Sequence, residues 1–333
     1  MNIDRTIDLA YRFVDRAGRL FFDPGRREQC QCAIEFIEKA AAVNGLVEVS
    51  RKPTNEAALA ALQEALTTLI ALSKPWKPDD PDLSKDSLRD FGWVDESILR
   101  GIGEMFQVGD RTVKRLLGPF AIEALPPIAC KYLKLQEDEE ERHEQFFTRS
   151  SHEVFGFNGD AHQLEQMFRR WTLPSFVEAF GKVELTVQEL QACSTRESTL
   201  KALVEGFAKY HMIAEAVLAK RGTLVFRYVV NKKRYRGKNL LPGFMPVFRL
   251  IDKEEARHVA AGMHILRWLM HSHPELALPF LMALIEMVLS VGGTNLPFLP
   301  QYQKILARQL NGRLRTIGFT REVADIVSDL FAA

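Results

Sequence analysis

Two Glu-x-x-His steps stand out in this chain: Glu140-Glu141-Arg142-His143 and Glu255-Ala256-Arg257-His258. On a helix, residues three apart lie on one face, so each step aims a carboxylate and an imidazole the same way. Two such pairs, joined by one carboxylate from each of two further helices, make a six-ligand site for two metal ions. Glu215 stands alone in a third helical stretch, and Glu104 and Asp110 compete for the place in a fourth. Carboxylate oxygens mixed with imidazole nitrogens suit iron or manganese. Tetrahedral structural zinc would want thiolates, and no cysteine is near. Spacing alone also fits two ordinary acid–histidine pairs, so the surrounding sequence has to decide.

The elements that would carry these residues are helices. Helical periodicity runs through almost every segment, and alternating strand-like runs are scarce, which predicts an all-α protein. The pattern gives helices over Asp4–Leu20, Arg26–Val43, Asn55–Leu72, Asp95–Met105 and Gly109–Leu125. Pro126-Pro127 opens a helix that runs to about Ser150 and carries the first Glu-x-x-His. Further helices are predicted over Ala161–Phe180, Thr186–Cys193 and Glu197–Arg221, the last stopping at Arg221-Gly222. Pro242-Gly243 opens the helix of Glu255 and His258; Glu275–Ser290, Pro300–Leu310 and Arg321–Phe331 close the chain. Three prolines between Lys74 and Asp82 forbid helix there. That run separates an N-terminal helical extension, residues 1–73, from a main domain, residues 74–333. The extension fits an extra helical layer or a contact in a homodimer.

Composition narrows the function classes. The chain has 333 residues, 47% of them hydrophobic, and a net charge of +1, so no strong field for nucleic acid or an anionic membrane is implied. Cys30, Cys32, Cys130 and Cys193 are too scattered for a disulfide framework, which fits a cytoplasmic protein. The N-terminus lacks an apolar h-region, and the most apolar stretch, Leu276 to Val291, is broken by Pro279 and Glu286. No signal peptide and no membrane span are expected.

Several blocks together resemble one family. PWKPDDPDLS, FQVGDRTVKRLLGPF, EEERHEQFF, AKYHMIAEAVLAKRG and LPGFMPVFRLIDKEEARHVAAG are similar to segments of the ligand-binding oxidases related to the small subunit of ribonucleotide reductase. They fall in the right order between about Pro75 and Arg267. The resemblance implies a ferritin-like four-helix bundle core with additional helices, holding a dinuclear Mn/Fe or Fe/Fe centre. It implies Asp110, Glu140 and His143 on one metal and Glu215, Glu255 and His258 on the other, with Glu140 and Glu255 bridging. Asp110 is one methylene shorter than the family's usual Glu.

The resemblance also implies a reaction: activation of dioxygen for two-electron oxidation of a bound apolar, fatty-acid-like small molecule. Val113 and Tyr210 match the places where the family forms an ether cross-link beside the metals. Glu254 stands where the family has Asp, a place that orients His143, and is equally open to being a solvated helix charge. Glu139 reads as a solvated helix charge. His211 shares Glu215's face and is open to a supporting hydrogen bond or a seventh-ligand role. Phe147 takes the position of the tyrosyl radical in ordinary reductase subunits, which argues against that role. The 22 phenylalanines fit a greasy pocket or a dense core. Thr223 replaces a family Tyr, and the basic stretch nearby suggests Lys232, Lys233 or Arg236 at an anionic head group. The alternative reading on the same fold is a diiron N-oxygenase, hydroxylase or desaturase of a small natural-product substrate.

Overall fold

In the computed structural model the described residues are 34, 35, 37, 46, 47, 54–157, 163, 166, 174–292 and 300–332. The expected helix Asp4–Leu20, most of Arg26–Val43 and the first half of Ala161–Phe180 lie outside them.

The described chain is helical: α1 Asn55–Leu72, α2 Trp93–Leu117, α3 Pro127–Glu153, α4 Pro174–Ala192 and α5 Arg196–Lys209. A π-helix, Tyr210–Ala219, follows α5 without a break and passes into α6 Lys220–Val230. Then come α7 Phe244–Ser272, α8 Ala277–Gly292, α9 Pro300–Ile317 and α10 Arg321–Ala332. The extended pairing among the described residues is one bridge, Val47 to Phe319, which ties the N-terminal region to the turn before α10. No helix among them is long and apolar enough to cross a membrane.

Local chemistry sets most of the boundaries. Thr54 caps α1 by accepting from the Ala57 amide, and Thr195 with Ser198 forms a capping box at α5. Pro127 sits at the first position of α3, where its missing N–H costs nothing. Two predicted breaks are absent. The expected pair Asp95–Met105 and Gly109–Leu125 is one helix, α2, and the stop at Arg221-Gly222 is bridged by α6. Gly222, like Gly103 within α2, makes room for a ring instead of ending a helix. A Cβ on Gly103 would lie 2.7 Å from the Phe155 ring, and one on Gly222 would lie 3.1 Å from Phe106.

Helices α2, α3, α7 and the π-helix with α6 close a ring: α2 packs on α3, α3 on α7, α7 on the π-helix, and α6 back on α2. Helix α1 lies across α3 and α7 from outside. Two apolar clusters flank the bundle's middle. One gathers Phe146, Phe147, Phe155, Phe226, Phe244 and Phe248. The other holds Val113, Phe120, Phe207, Tyr210 and the C-terminal helices. Burying each such ring contributes about 1.5–3 kcal/mol, so the apolar layers clamp the polar residues between them.

The proline-rich segment is latched to α7. Asp86 accepts from the backbone amides of Gly243 and Phe244, at 2.9 and 2.6 Å, and so caps α7 from far along the chain. Asp86→Ala is expected to cost about 1–2 kcal/mol of stability, the usual loss for an N-cap. Denaturant unfolding of the two proteins measures it; an unchanged midpoint would show that the latch carries no load.

Candidate metal centre

Four elements aim side chains at one point. Asp110 comes from α2, Glu140 and His143 from α3, Glu215 from the π-helix, and Glu255 and His258 from α7. Two groups form, each with ligand atoms within 4.8 Å of one another: Asp110, Glu140 and His143, and Glu140, Glu215, Glu255 and His258. Asp110 is thus the fourth-helix carboxylate; Glu104, its competitor, is a separate group whose carboxyl burial pushes up to about 7. Glu140 belongs to both groups. Its Oε2 lies 3.3 Å from His143 Nδ1 and its Oε1 3.1 Å from His258 Nδ1. Glu255 repeats this, with Oε1 3.3 Å from His143 Nδ1 and Oε2 3.7 Å from His258 Nδ1. Each carboxylate offers one oxygen to each histidine's side, the geometry of a bridge.

An outer set fixes the imidazoles, and it is crossed. His143 Nε2 donates to Glu254 Oε2 of α7 at 2.8 Å, and His258 Nε2 donates to Glu139 Oε2 of α3 at 2.8 Å. A carboxylate only accepts, so Nε2 carries the proton and the Nδ1 lone pair faces inward. Arg257 donates to Glu139 at 2.8 Å, and Ser73 at the end of α1 donates to it at 2.5 Å. The Trp76 indole donates to Glu254 at 3.1 Å. Arg142 lies 3.7 Å from Glu139 and 3.6 Å from Glu254. Glu254 is thus buried against His143 and not a solvated charge. Glu139 is a correction: its side chain is 0% exposed, not solvated, because it supports the other helix's histidine. His258, Ser73 and Arg257 pull it down to about 2, against burial, which raises it.

The inner atoms lack partners of that kind. Asp110 Oδ2, Glu215 Oε2, His143 Nδ1 and His258 Nδ1 are all buried without a hydrogen bond. Buried polar atoms are rarely left so, and each costs on the order of 1–3 kcal/mol. Four carboxylates here face two lone pairs, an arrangement that two divalent cations would neutralise. The electrostatics agree. Burial, then the charges of Glu140 and Glu255, push Asp110 well up, and burial with Glu255 and Glu140 does the same to Glu215. Burial would lower both histidines, yet hydrogen bonds and charge from the carboxylates hold them well above their usual value. Glu140 is held down to about 2: burial opposes this, but His143 and His258 outweigh it.

The other expected residues fall into place as follows. Tyr210 is fully buried; its hydroxyl donates to Glu140 Oε1 at 3.3 Å and accepts from Gln136 at 3.1 Å. The π-helix explains the reach. Its bonds run from i to i+5, so Tyr210 and Glu215, five apart, return to one side. His211 bonds Gln136 at 3.3 Å and belongs to neither ligand group. Val113 is buried in the apolar cluster that holds Tyr210. Phe147 stacks on Phe106 at 5.2 Å within the phenylalanine cluster. Thr223 bonds its own helix at the Ala219 carbonyl. Lys232 is bound 2.6 Å from buried Asp95, which also holds Arg234 and Tyr235 and so anchors the basic loop. Lys233 and Arg236 are exposed.

Sequence reasoning missed Gln136, Ser73, Arg142 and Arg257. A signal for the two arginines was present. Glu-Glu-x-Arg-His recurs as Glu139–His143 and Glu254–His258, and each position of the pentad does the same work from opposite helices.

No protein-family model matches this chain, and no curated protein sequence is significantly similar to it. Solved structures do share its fold. An R2-like ligand-binding oxidase from Sulfolobus acidocaldarius aligns with a TM-score of 0.61 at 21% identity, over 79% of this chain and 92% of that one. An R2-like ligand-binding oxidase with an anaerobically reconstituted Mn/Fe cofactor, a single-site variant, gives 0.63 at 18%, over 78% and 94%. Another with an aerobically reconstituted Mn/Fe cofactor gives 0.56 at 20%, over 81% and 90%. At these identities the likeness is one of fold: a ferritin-like bundle with added helices.

The raised groups set a pH dependence for the metal-free protein. Asp110, Glu215, His143 and His258 all bind protons more tightly folded than unfolded. Their stability is fully present below their unfolded values and is lost as pH rises through the folded ones. Metal-free protein should therefore melt at a lower temperature at pH 9 than at pH 6.5. Added Mn²⁺ or Fe²⁺ should raise the melting temperature more at the higher pH, since binding displaces protons. Equal shifts at both pH values would contradict this.

Proposed function

We propose that this chain is a dinuclear metal oxidase that binds iron or manganese at Asp110, Glu140, His143, Glu215, Glu255 and His258. The observation that carries the reading is the convergence of four buried, unpartnered ligand atoms from four elements. Donor chemistry, charge balance and the fold shared with R2-like ligand-binding oxidases support it. When bound, such a metal pair supplies electrons to dioxygen and the oxidising power for a two-electron step.

The residues supply the setting. Glu139 and Glu254 hold the histidines so that each Nδ1 faces inward. Phe106, Phe147 and Phe248 pack together on the helices that carry Asp110, His143 and Glu255 and keep water from one side. That wall presents no phenol at Phe147, so the oxidising equivalent is directed at a bound molecule or at Tyr210. An apolar, fatty-acid-like molecule suits the wall. Tyr210, with its hydroxyl 3.3 Å from Glu140, is a phenol hydrogen-bonded directly to the centre, and Val113 is its partner for a covalent join. Joining them removes one hydrogen from each, with dioxygen as the acceptor. The short Asp110 and Thr223 favour a second reading, an oxygenase or desaturase of a smaller substrate.

Elemental analysis after anaerobic loading should find two ions per chain. His143→Ala and His258→Ala should each drop below one. Aerobic exposure of the loaded protein should consume dioxygen. If the cross-link forms, the intact mass falls by two hydrogens in the wild type and not in Tyr210→Phe. Wild-type protein that takes up neither metal would overturn the proposal.

A further inference from the structure

Gln136 lies one turn before Glu140 on α3 and is 0% exposed. Its amide nitrogen donates to Glu215 Oε1 at 2.7 Å and to the Tyr210 hydroxyl at 3.1 Å. The NH₂ end thus faces Glu215 and the carbonyl end faces away. There the carbonyl meets His211 Nε2 at 3.3 Å, which must then carry its ring's proton. His211 is itself immobilised. Its ring lies parallel to Phe207 at 4.6 Å and edge-on to Tyr210 at 4.6 Å. Behind it is Gly262 of α7, where a Cβ would come within 2.5 Å of the ring, so the backbone itself is the wall.

This line of contacts has two consequences at the centre. Glu215 Oε1 is occupied by the amide, while Oε2 is the unpartnered atom. Glu215 is thereby held to one available oxygen. The Tyr210 hydroxyl accepts from the amide, so its own proton goes to Glu140 Oε1. We propose that Gln136, backed by His211, is a positioning residue that fixes Glu215 as a one-oxygen ligand and directs the Tyr210 proton toward Glu140. The proposal rests on the metal-centre reading and adds to it a residue outside the six ligands.

The test uses full-length protein loaded anaerobically with Mn²⁺, comparing wild type with Gln136→Leu, Gln136→Glu and His211→Phe. Gln136→Glu keeps the shape and removes the donor to Glu215. His211→Phe keeps the stack on Phe207 and removes the N–H. Each variant should bind the metal about 10-fold or more weakly, the usual effect of losing a residue that supports a ligand. The Mn²⁺ electron paramagnetic resonance spectrum should also change, because Glu215 is freed to chelate with both oxygens. Thermal unfolding of the metal-free proteins checks folding. Should leucine prevent it, the glutamate variant, closest in shape, is read instead. Variants that fold and keep both wild-type affinity and the wild-type spectrum overturn the inference while leaving the metal centre intact. A wild type that binds no metal overturns the centre, and the inference with it.

Discussion

Two hydrogen bonds crossing between α3 and α7 are the constraint on which the site depends. Glu254 of α7 holds His143 of α3, and Glu139 of α3 holds His258 of α7. Each bond fixes a tautomer, and each tautomer turns a lone pair inward. Neither helix can slide without breaking both bonds, so the spacing of the two helices and the chemistry of the two imidazoles are set by one arrangement. Arg142 and Arg257 balance the outer carboxylates, which leaves the inner four to whatever cation they meet. The layers outside this frame keep it dry and in register. Helix α1 contributes Ser73, the proline-rich segment contributes Trp76, and Asp86 pins the start of α7.

The π-helix solves a placement problem that an α-helix would leave open. Tyr210, His211 and Glu215 are all fully or almost fully buried and all act on the centre or next to it. At α-helical pitch, residues five apart diverge, and Tyr210 would point elsewhere. With wider turns, the phenol comes beside Glu140 while His211 slips behind Gln136. Such turns are rare and are frequent at functional sites. Here the requirement is to bring a phenol, an amide's anchor and a carboxylate to one side of one helix.

Much of this was legible in the sequence because side chains at fixed helical spacing share one face. The two Glu-x-x-His steps, Glu215 and Asp110 announced the inner six. Helix Asn55–Leu72 and the start after Pro126 were readable because prolines and caps act locally. What was not legible depends on contacts between distant segments. Glu139 looks like a solvated charge on any helical wheel; only the approach of His258 from α7 buries it. Gln136 carries no motif, since its partners arrive from the π-helix. Gly222 looked like punctuation because the ring that fills its place, Phe106, lies far off in sequence. The paired Glu-Glu-x-Arg-His was in plain view, and its repetition encodes the crossed support.

Burying four carboxylates against two inward lone pairs runs against folding on its own, since isolated charges are costly to remove from water. The strain shows in the proton affinities: burial pushes Asp110 and Glu215 up, and the carboxylates around the two imidazoles hold them above their usual value against burial. A site built this way has a stability deficit that a bound metal pair would remove, which would make metal uptake and structural completion one event. The same logic explains why the outer shell is so heavily bonded. Only a rigid outer frame keeps the inner carboxylates from turning away from one another, and the hydrogen bonds through Glu139, Glu254 and Gln136 are that frame.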